Sequence, residues 1–440
     1  MTAAFPNAPA PPPGPGGPPP CLDLDADGED ARAPLPELLA RAQCLGPVSA
    51  LRVGGQLMVL VTGPDEVEHV LVRHPEVYGK HSHRARALLG EGLISATGDA
   101  WRGQRRLLQP HFTTAGVRRY ERHIEDAAAR AAHRWAARAD DGRGTDVGED
   151  MGFFALDTIW RLLTARPLDD ATHADLAALG TVVAALPATG PAVTQPEAVE
   201  EALASIDATA HRVIDAARAD RAARAGQEPE GILDVLLDAA RTRPEYTDRL
   251  IRDELVTLVV AGHETSATTL AWLWLLLHRH PEAREWALAA GEPGSPGRRQ
   301  AVQALISETL RLYPAVWLVP RHTTAADTLG GYRVEAGTRV LVCPYLVHRD
   351  PARWPEPDAF DPRRFIRARG ARHGAYHPFG VGARACLGQQ FALREMTALL
   401  DALLPGYVPG FHQPPAAPVF GANLRPDGPM AATIRRAGPA

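Results

Sequence analysis

Between Thr247 and His280 apolar and small residues recur at helical spacing. Leu255, Leu258, Val259, Gly262, Ser266, Thr269, Leu270 and Leu273 form one stripe, and the run stops before Pro281. At ~1.5 Å per residue this predicts a helix on the order of 50 Å long, enough to cross a domain. "HETS" (263–266) argues against a membrane span, because it breaks the apolar run near its middle, short of the ~20 continuous residues a bilayer requires. From about 99 to 290 the chain is mostly helical in pattern, broken at "GRGT", "LPATGPAV" and "GQEPEG". Strand alternation is confined to the flanks. "VSALRV" and "QLMVLV" surround Gly54 and Gly55 as in a hairpin, Pro64, Asp65 and Glu66 suit the first turn of a short helix, and β signals return only in "GYRVEAGTRVLVCP". The pattern predicts a mainly α protein with small β-sheets, an α+β fold class.

Composition changes this picture at one end only. The 440 residues are 45% hydrophobic and 22% charged, as in ordinary globular proteins, and no linker divides the body, so a single domain over 34–440 is expected. Residues 1–33 read as a disordered proline-rich tail. The N-terminus has neither the basic start nor the apolar core of a signal peptide or membrane anchor. Four scattered cysteines, Cys21, Cys44, Cys343 and Cys386, include no C-x-x-C pair, which excludes a disulfide scaffold and fits a reducing cytoplasm. A net charge of -5 gives no general attraction to nucleic acid or anionic lipid.

Candidate chemistry concentrates in a few stretches. In "FGVGARACLG" (379–388), Gly380, Gly382 and Gly388 let backbone pass close to a bulky group, and a helical pattern starts directly after Cys386. A helix N-terminus stabilises a thiolate, so this cysteine suits a metal ligand. Gly380, Gly382 and Ala385 also match a dinucleotide fingerprint, but no buried strand precedes them. "AGHET" (261–265) sits inside the long helix, where Gly262 costs about 1 kcal/mol against alanine, so the missing side chain is expected to serve a close approach. Thr265 can bond back to the Ala261 carbonyl and open a groove, with Glu264 beside it as a proton carrier. Glu308 and Arg311 in "ETLR" share one helix face, as do Trp101 and Arg105 in "WRGQRR".

Together, in this order and spacing, these stretches resemble the cytochrome P450 family of haem-thiolate monooxygenases, from about residue 45 to the C-terminus. "FGVGARAC" is similar to the family's F-x-x-G-x-R-x-C loop, "AGHET" to A-G-x-[DE]-T, "ETLR" to E-x-x-R, and "PRRF" (362–365) to P-E-R-F with Arg363 in place of the glutamate. The resemblance implies a haem b between the long central helix and the cysteine loop, with Cys386 as the iron ligand and Phe379, Gly380, Gly388 and Ala261 against the porphyrin. It implies that Trp101, Arg105, Arg321 and Arg384 hold the propionates, that Glu264 and Thr265 feed protons to dioxygen, and that Glu308, Arg311 and Arg364 form a structural network.

It further implies a monomer that takes O2, an apolar small molecule and electrons from a ferredoxin and its reductase, because too few residues follow the cysteine for a fused electron donor. Arg363, Arg364, Arg367, Arg369 and Arg372 are candidates for steering that donor. Leu93, Ile94, Val259, Val260, Val316, Val319 and Phe420 fall in segments that line substrate pockets in the family. They are poor in charge, so a terpenoid, fatty acyl or polyketide-like substrate is expected, in bacterial specialised metabolism. The rival readings are a haem-thiolate peroxygenase or isomerase and a non-enzymatic haem sensor.

Overall fold

The computed structural model describes residues 16–24, 34–80, 86–184, 197–367 and 374–438. They group into two compact units. The first unit takes the described residues of Met1–His81, Arg311–Ala359 and Ala368–Cys386. Its framework is a six-stranded sheet of β1 (Cys21–Asp23), β2 (Val48–Val53), β3 (Gln56–Val61), β4 (Tyr78–Gly79), β5 (Val319–Thr323) and β6 (Arg339–Val342) in the order β1-β2-β3-β6-β5-β4. The β2–β3 hairpin closes at Gly54 and Gly55, whose φ angles of 56° and 73° are the left-handed values a tight two-residue turn needs. Val48, Val59, Val61, Val340 and Val342 bury one sheet face against Val70 and Leu71 of the Pro64–Arg73 helical segment.

β1 corrects the tail reading. Cys21–Asp23 pairs in parallel with Ala50–Arg52, and Leu24 is buried behind it. Prolines dominate the composition of 1–33, but the short apolar alternation after Pro20 supplies both ladder groups and a buried side chain. The other expected tail residues, 1–15 and 25–33, lie outside the described residues.

The second unit takes the described residues of Ser82–Leu310, Phe360–Arg367 and Leu387–Ala440. It is built from α1 (Gly98–Phe112), α2 (Glu121–Asp141), α3 (Val147–Thr164), α4 (Asp170–Leu176), α5 (Glu197–Ala223), α6 (Asp248–Arg279), α7 (Pro296–Leu312, to Leu310 in this unit) and α8 (Gln389–Leu403). α6 is the long helix the periodicity predicts. Thr247 caps it, its side chain accepting the Leu250 N–H at 3.3 Å, and His278 and Arg279 offset the dipole at the far end. α2 stops at Gly142, φ 68°, in the expected "GRGT" break, and "LPATGPAV" falls outside the described residues. Trp272 and Trp274 anchor the C-terminal half of α6. The first donates to the Leu424 carbonyl at 2.8 Å and the second packs 5.0 Å from Trp135.

α3 lies against α6, and here Gly262 finds its use. A Cβ at this position would stand 2.7 Å from Ile159 Cγ1, so the missing side chain admits a neighbouring helix. Among the described residues no helix is long and apolar enough to cross a membrane. The architecture is mainly helical with small sheets, as the pattern predicts.

Candidate active site

In the first unit Cys386 ends a loop held by short-range bonds. Its N–H donates to the Phe379 carbonyl at 2.8 Å, Ala385 N–H to Gly382 O at 3.0 Å, and Gly380 N–H to His377 O at 2.9 Å. Gly380 and Gly382 have φ of 68° and 76°, which most side chains avoid. The structure gives Gly382 a purpose the sequence did not suggest: a Cβ there would meet the Leu71 carbonyl at 2.1 Å, so this glycine admits main chain of the Pro64–Arg73 segment. Gly388 is the N-cap of α8, which starts three residues after the sulfur. Below the loop, His377 N–H donates to Nε2 of buried His348 at 3.0 Å, fixing His348 as the neutral Nδ1–H tautomer, and burial holds its pKa well below the ordinary value. Cys386 is exposed. Cys343 is buried, and its thiol is pushed up to about 12.

Arg321 and Arg384 share this unit with a third cation, Lys80. Burial, then the charges of Arg321 and Arg384, bring the Lys80 ammonium down to about 7, and burial with Arg384 brings Arg321 to about 10. Three cations that act on one another, Arg321 buried and Lys80 and Arg384 half-buried, call for an anion, and the propionates of a haem fit that demand. Lys80 was not among the sequence candidates. The available signal was composition, since it is the only lysine in an arginine-rich chain.

The second unit carries the notched helix. Thr265 Oγ1 donates to the Ala261 carbonyl at 2.8 Å, the back-bond expected from the sequence. Glu264 is about one fifth exposed, with His263 Nδ1 3.7 Å from its Oε1. On α1, the Arg105 guanidinium stands 5.9 Å from the Trp101 ring centre, so the two share a face as their spacing implies.

Behind Thr265 lies a second acid that sequence reasoning missed. Ser266 Oγ donates to Glu395 Oε1 at 2.5 Å, Glu395 is fully buried on α8, and burial raises its pKa to about 8. A carboxyl raised in the folded state stabilises most below its unfolded value of 4.5, and that contribution is lost as pH rises to about 8. Glu395→Gln keeps the neutral acceptor, so we expect it to flatten the fall in stability between these pH values and to be the more stable protein at pH 8. Thermal melts across pH check this. A variant whose melting falls with pH as steeply as the wild type would contradict it.

Other site candidates divide. Leu93 is buried and its N–H donates to Glu254 at 3.2 Å, while Ile94, Val260 and Phe420 are half-buried in the same unit. Val259 is turned away. It lies two residues, or 200°, from Ala261, and lines a small apolar cavity with Trp160, Leu176, Ile206 and Leu255, so it belongs to the core. In the first unit Val319 is half-buried and Val316 is exposed. The arginine cluster also changes. Arg364 is buried with its Nε 2.9 Å from Glu308 Oε1, which removes it from any steering face. Arg367 pairs with Asp361 at 3.2 Å, Arg363 lies over Trp286, and Arg369 and Arg372 fall outside the described residues.

Comparison with known proteins bears on the whole chain. The family profile described as Cytochrome P450 matches residues 30–408. Cyclooctatin synthase of Streptomyces melanosporofaciens is 34% identical over 92% of this chain and 90% of its own length. Cyclooctat-9-en-7-ol 5-monooxygenase of the same organism is 31% identical over 85% and 84%. The crystal structure of CYP175A1 from Thermus thermophilus superposes with a TM-score of 0.74 at 27% identity, covering 94% of this chain and all of that one. The P450DA haem domain gives 0.79 at 24% identity over 96% and 97%, a likeness of fold. By profile, sequence and fold alike, the chain belongs to the cytochrome P450 family of haem-dependent monooxygenases.

Proposed function

We propose that this chain binds haem b through Cys386 and inserts one oxygen atom from O2 into a terpenoid, with electrons supplied by a separate ferredoxin and its reductase. The observation that carries the reading is the acid–alcohol pair in the notch of α6, where Thr265 is bonded back to Ala261 and Glu264 stands next to it. Once bound, the haem supplies the iron centre at which O2 is reduced and cleaved, with thiolate donation favouring cleavage.

The chain's residues do the rest. Cys386 supplies the thiolate, favoured by the α8 N-terminus. Lys80, Arg321 and Arg384 of the first unit, and Trp101 and Arg105 of the second, are the residues that would hold haem propionates. The Thr265 hydroxyl, whose proton is engaged by the Ala261 carbonyl, offers its lone pairs as an acceptor that would hold a proton-bearing group in place, while Glu264 gives up the proton. Leu93, Ile94, Val260 and Phe420 exclude water and orient an apolar molecule. The name of one relative states an alcohol as its substrate, which supports a substrate that already carries oxygen.

Thr265→Ala is expected to keep the thiolate-type carbon monoxide spectrum and to divert electrons to hydrogen peroxide, lowering product per electron roughly tenfold or more. Parallel measurement of product, peroxide and reductant consumed checks this, and unchanged coupling would remove the pair from the reaction. Cyclic terpenes and their alcohols, screened by the spin-state absorbance change on binding, test the substrate class.

A further inference from the structure

Glu264 must be reloaded after each proton it gives, and its surroundings name the source. Within α6 it faces His263, whose Nδ1 lies 3.7 Å from Oε1 and is itself buried without a hydrogen-bond partner. The imidazole is not sealed, because about 15% of the side chain is accessible. Its other nitrogen projects toward α3 where Gly152 stands, and a Cβ at 152 would come within 3.6 Å of Nε2. The missing side chain of Gly152 thus leaves a methyl-sized gap beside the one nitrogen that does not face the carboxyl. A group with one nitrogen at an acid and the other at a gap toward a neighbouring helix is placed to relay. A second imidazole stands further out. His173 on α4 is half-buried, its ring held edge-on against Phe153 at 5.0 Å, and Phe153 is clamped by Arg134 and Arg130 at 4.1 Å and 4.7 Å.

We infer that His263 reloads Glu264 with protons, and that His173 is the outer station from which they arrive. The inference rests on the proposed role of Glu264. His263 enters as the Nδ1–H tautomer, accepts a proton at Nε2 from water or from His173, and releases the Nδ1 proton to Glu264 Oε1. The ring is left neutral as the Nε2–H tautomer and returns to the Nδ1–H form by exchanging protons with water, with no electron moved. The charged groups that press on His263 are Glu264 from its own helix and His173 from α4. Burial holds its pKa below the ordinary value, the Glu264 charge opposes this, and His173 adds to the lowering, which favours the neutral ring.

His263→Gln preserves bulk and polarity but has no second nitrogen through which a proton can pass. In the haem-loaded protein it is expected to keep the carbon monoxide spectrum and substrate-binding shift of the wild type, while product per electron falls roughly three- to tenfold and the solvent deuterium isotope effect rises. An infrared titration of the Glu264 carboxyl, assigned by subtraction of Glu264→Gln, gives a readout independent of turnover. It should be coupled to the imidazole titration in the wild type and become a single independent step in His263→Gln. His173→Gln, altered away from the helix core, should move coupling and isotope effect in the same direction by less. Wild-type coupling, isotope effect and carboxyl titration in His263→Gln would overturn the relay. If His263→Gln fails to fold, wild-type values in His173→Gln overturn the outer station, and an uncoupled carboxyl titration in the unaltered protein overturns the inner one. A wild type lacking the thiolate spectrum would sink the proposed function itself, a separate outcome.

Discussion

Cys386→Ala is expected to abolish the red-shifted carbon monoxide band of the reduced protein, while Cys343→Ala leaves it in place. The contrast follows from two different local environments. Cys386 is exposed, sits at the end of a loop pinned by its own N–H to Phe379 O at 2.8 Å, and precedes the free N–H groups of the 15-residue helix α8 by three residues. Such a position lowers the cost of a thiolate and leaves the sulfur accessible to a metal. Cys343 is 1% exposed, donates to the Trp317 carbonyl at 3.4 Å and has its thiol pushed up to about 12, so at neutral pH it is an inert apolar side chain. Cys21, in a strand, and Cys44, just past a helix, serve as further controls. The expected loss is complete, because alanine offers no ligand. A retained band in Cys386→Ala, or its disappearance in Cys343→Ala, would overturn the ligand assignment.

What the sequence makes legible is local. The span of α6 can be read to within a residue at each end, because its cap Thr247, its apolar period and Pro281 are all contained in the segment itself. The β2–β3 turn is encoded by two adjacent glycines, and the Thr265 back-bond by a spacing of four on one helix. What stays hidden depends on which distant segments meet. Gly262 is recognisable as a costly glycine, but only the packed helices identify Ile159 as the reason. Glu395 looks like one more polar residue on a helix until burial and Ser266 set it apart. Val259 falls in a pocket segment by sequence, although helical geometry alone places it opposite Ala261. β1 is masked by surrounding prolines, and Lys80 gains meaning only from Arg321 and Arg384, more than two hundred residues away.

The same distinction makes the second large effect a test of folding rather than chemistry. Glu308 is fully buried, and its Oε1 accepts both Arg364 Nε and Asp361 N–H at 2.9 Å. Glu308→Ala strips a buried guanidinium of the carboxylate facing it, and breaking one side of a buried pair costs about 3–5 kcal/mol. Arg311 is the complementary case in the first unit. Fully buried and stacked 5.1 Å from Trp354, it donates to the carbonyls of His348 at 3.0 Å, Pro357 at 2.5 Å and Ala359 at 2.9 Å. No shorter cation reaches three carbonyls at once, so Arg311→Lys should be damaging although charge is conserved. His348 in turn receives the His377 N–H in the segment that leads to Cys386, so slackening at Arg311 reaches the cysteine loop through bonded neighbours. Both variants should therefore melt several degrees lower and hold haem in a smaller fraction of molecules, while the haem-loaded fraction keeps wild-type product per electron. Thermal melts combined with coupling measured per thiolate haem check this. Unchanged stability together with lost coupling would move Glu308 and Arg311 from the framework into the reaction.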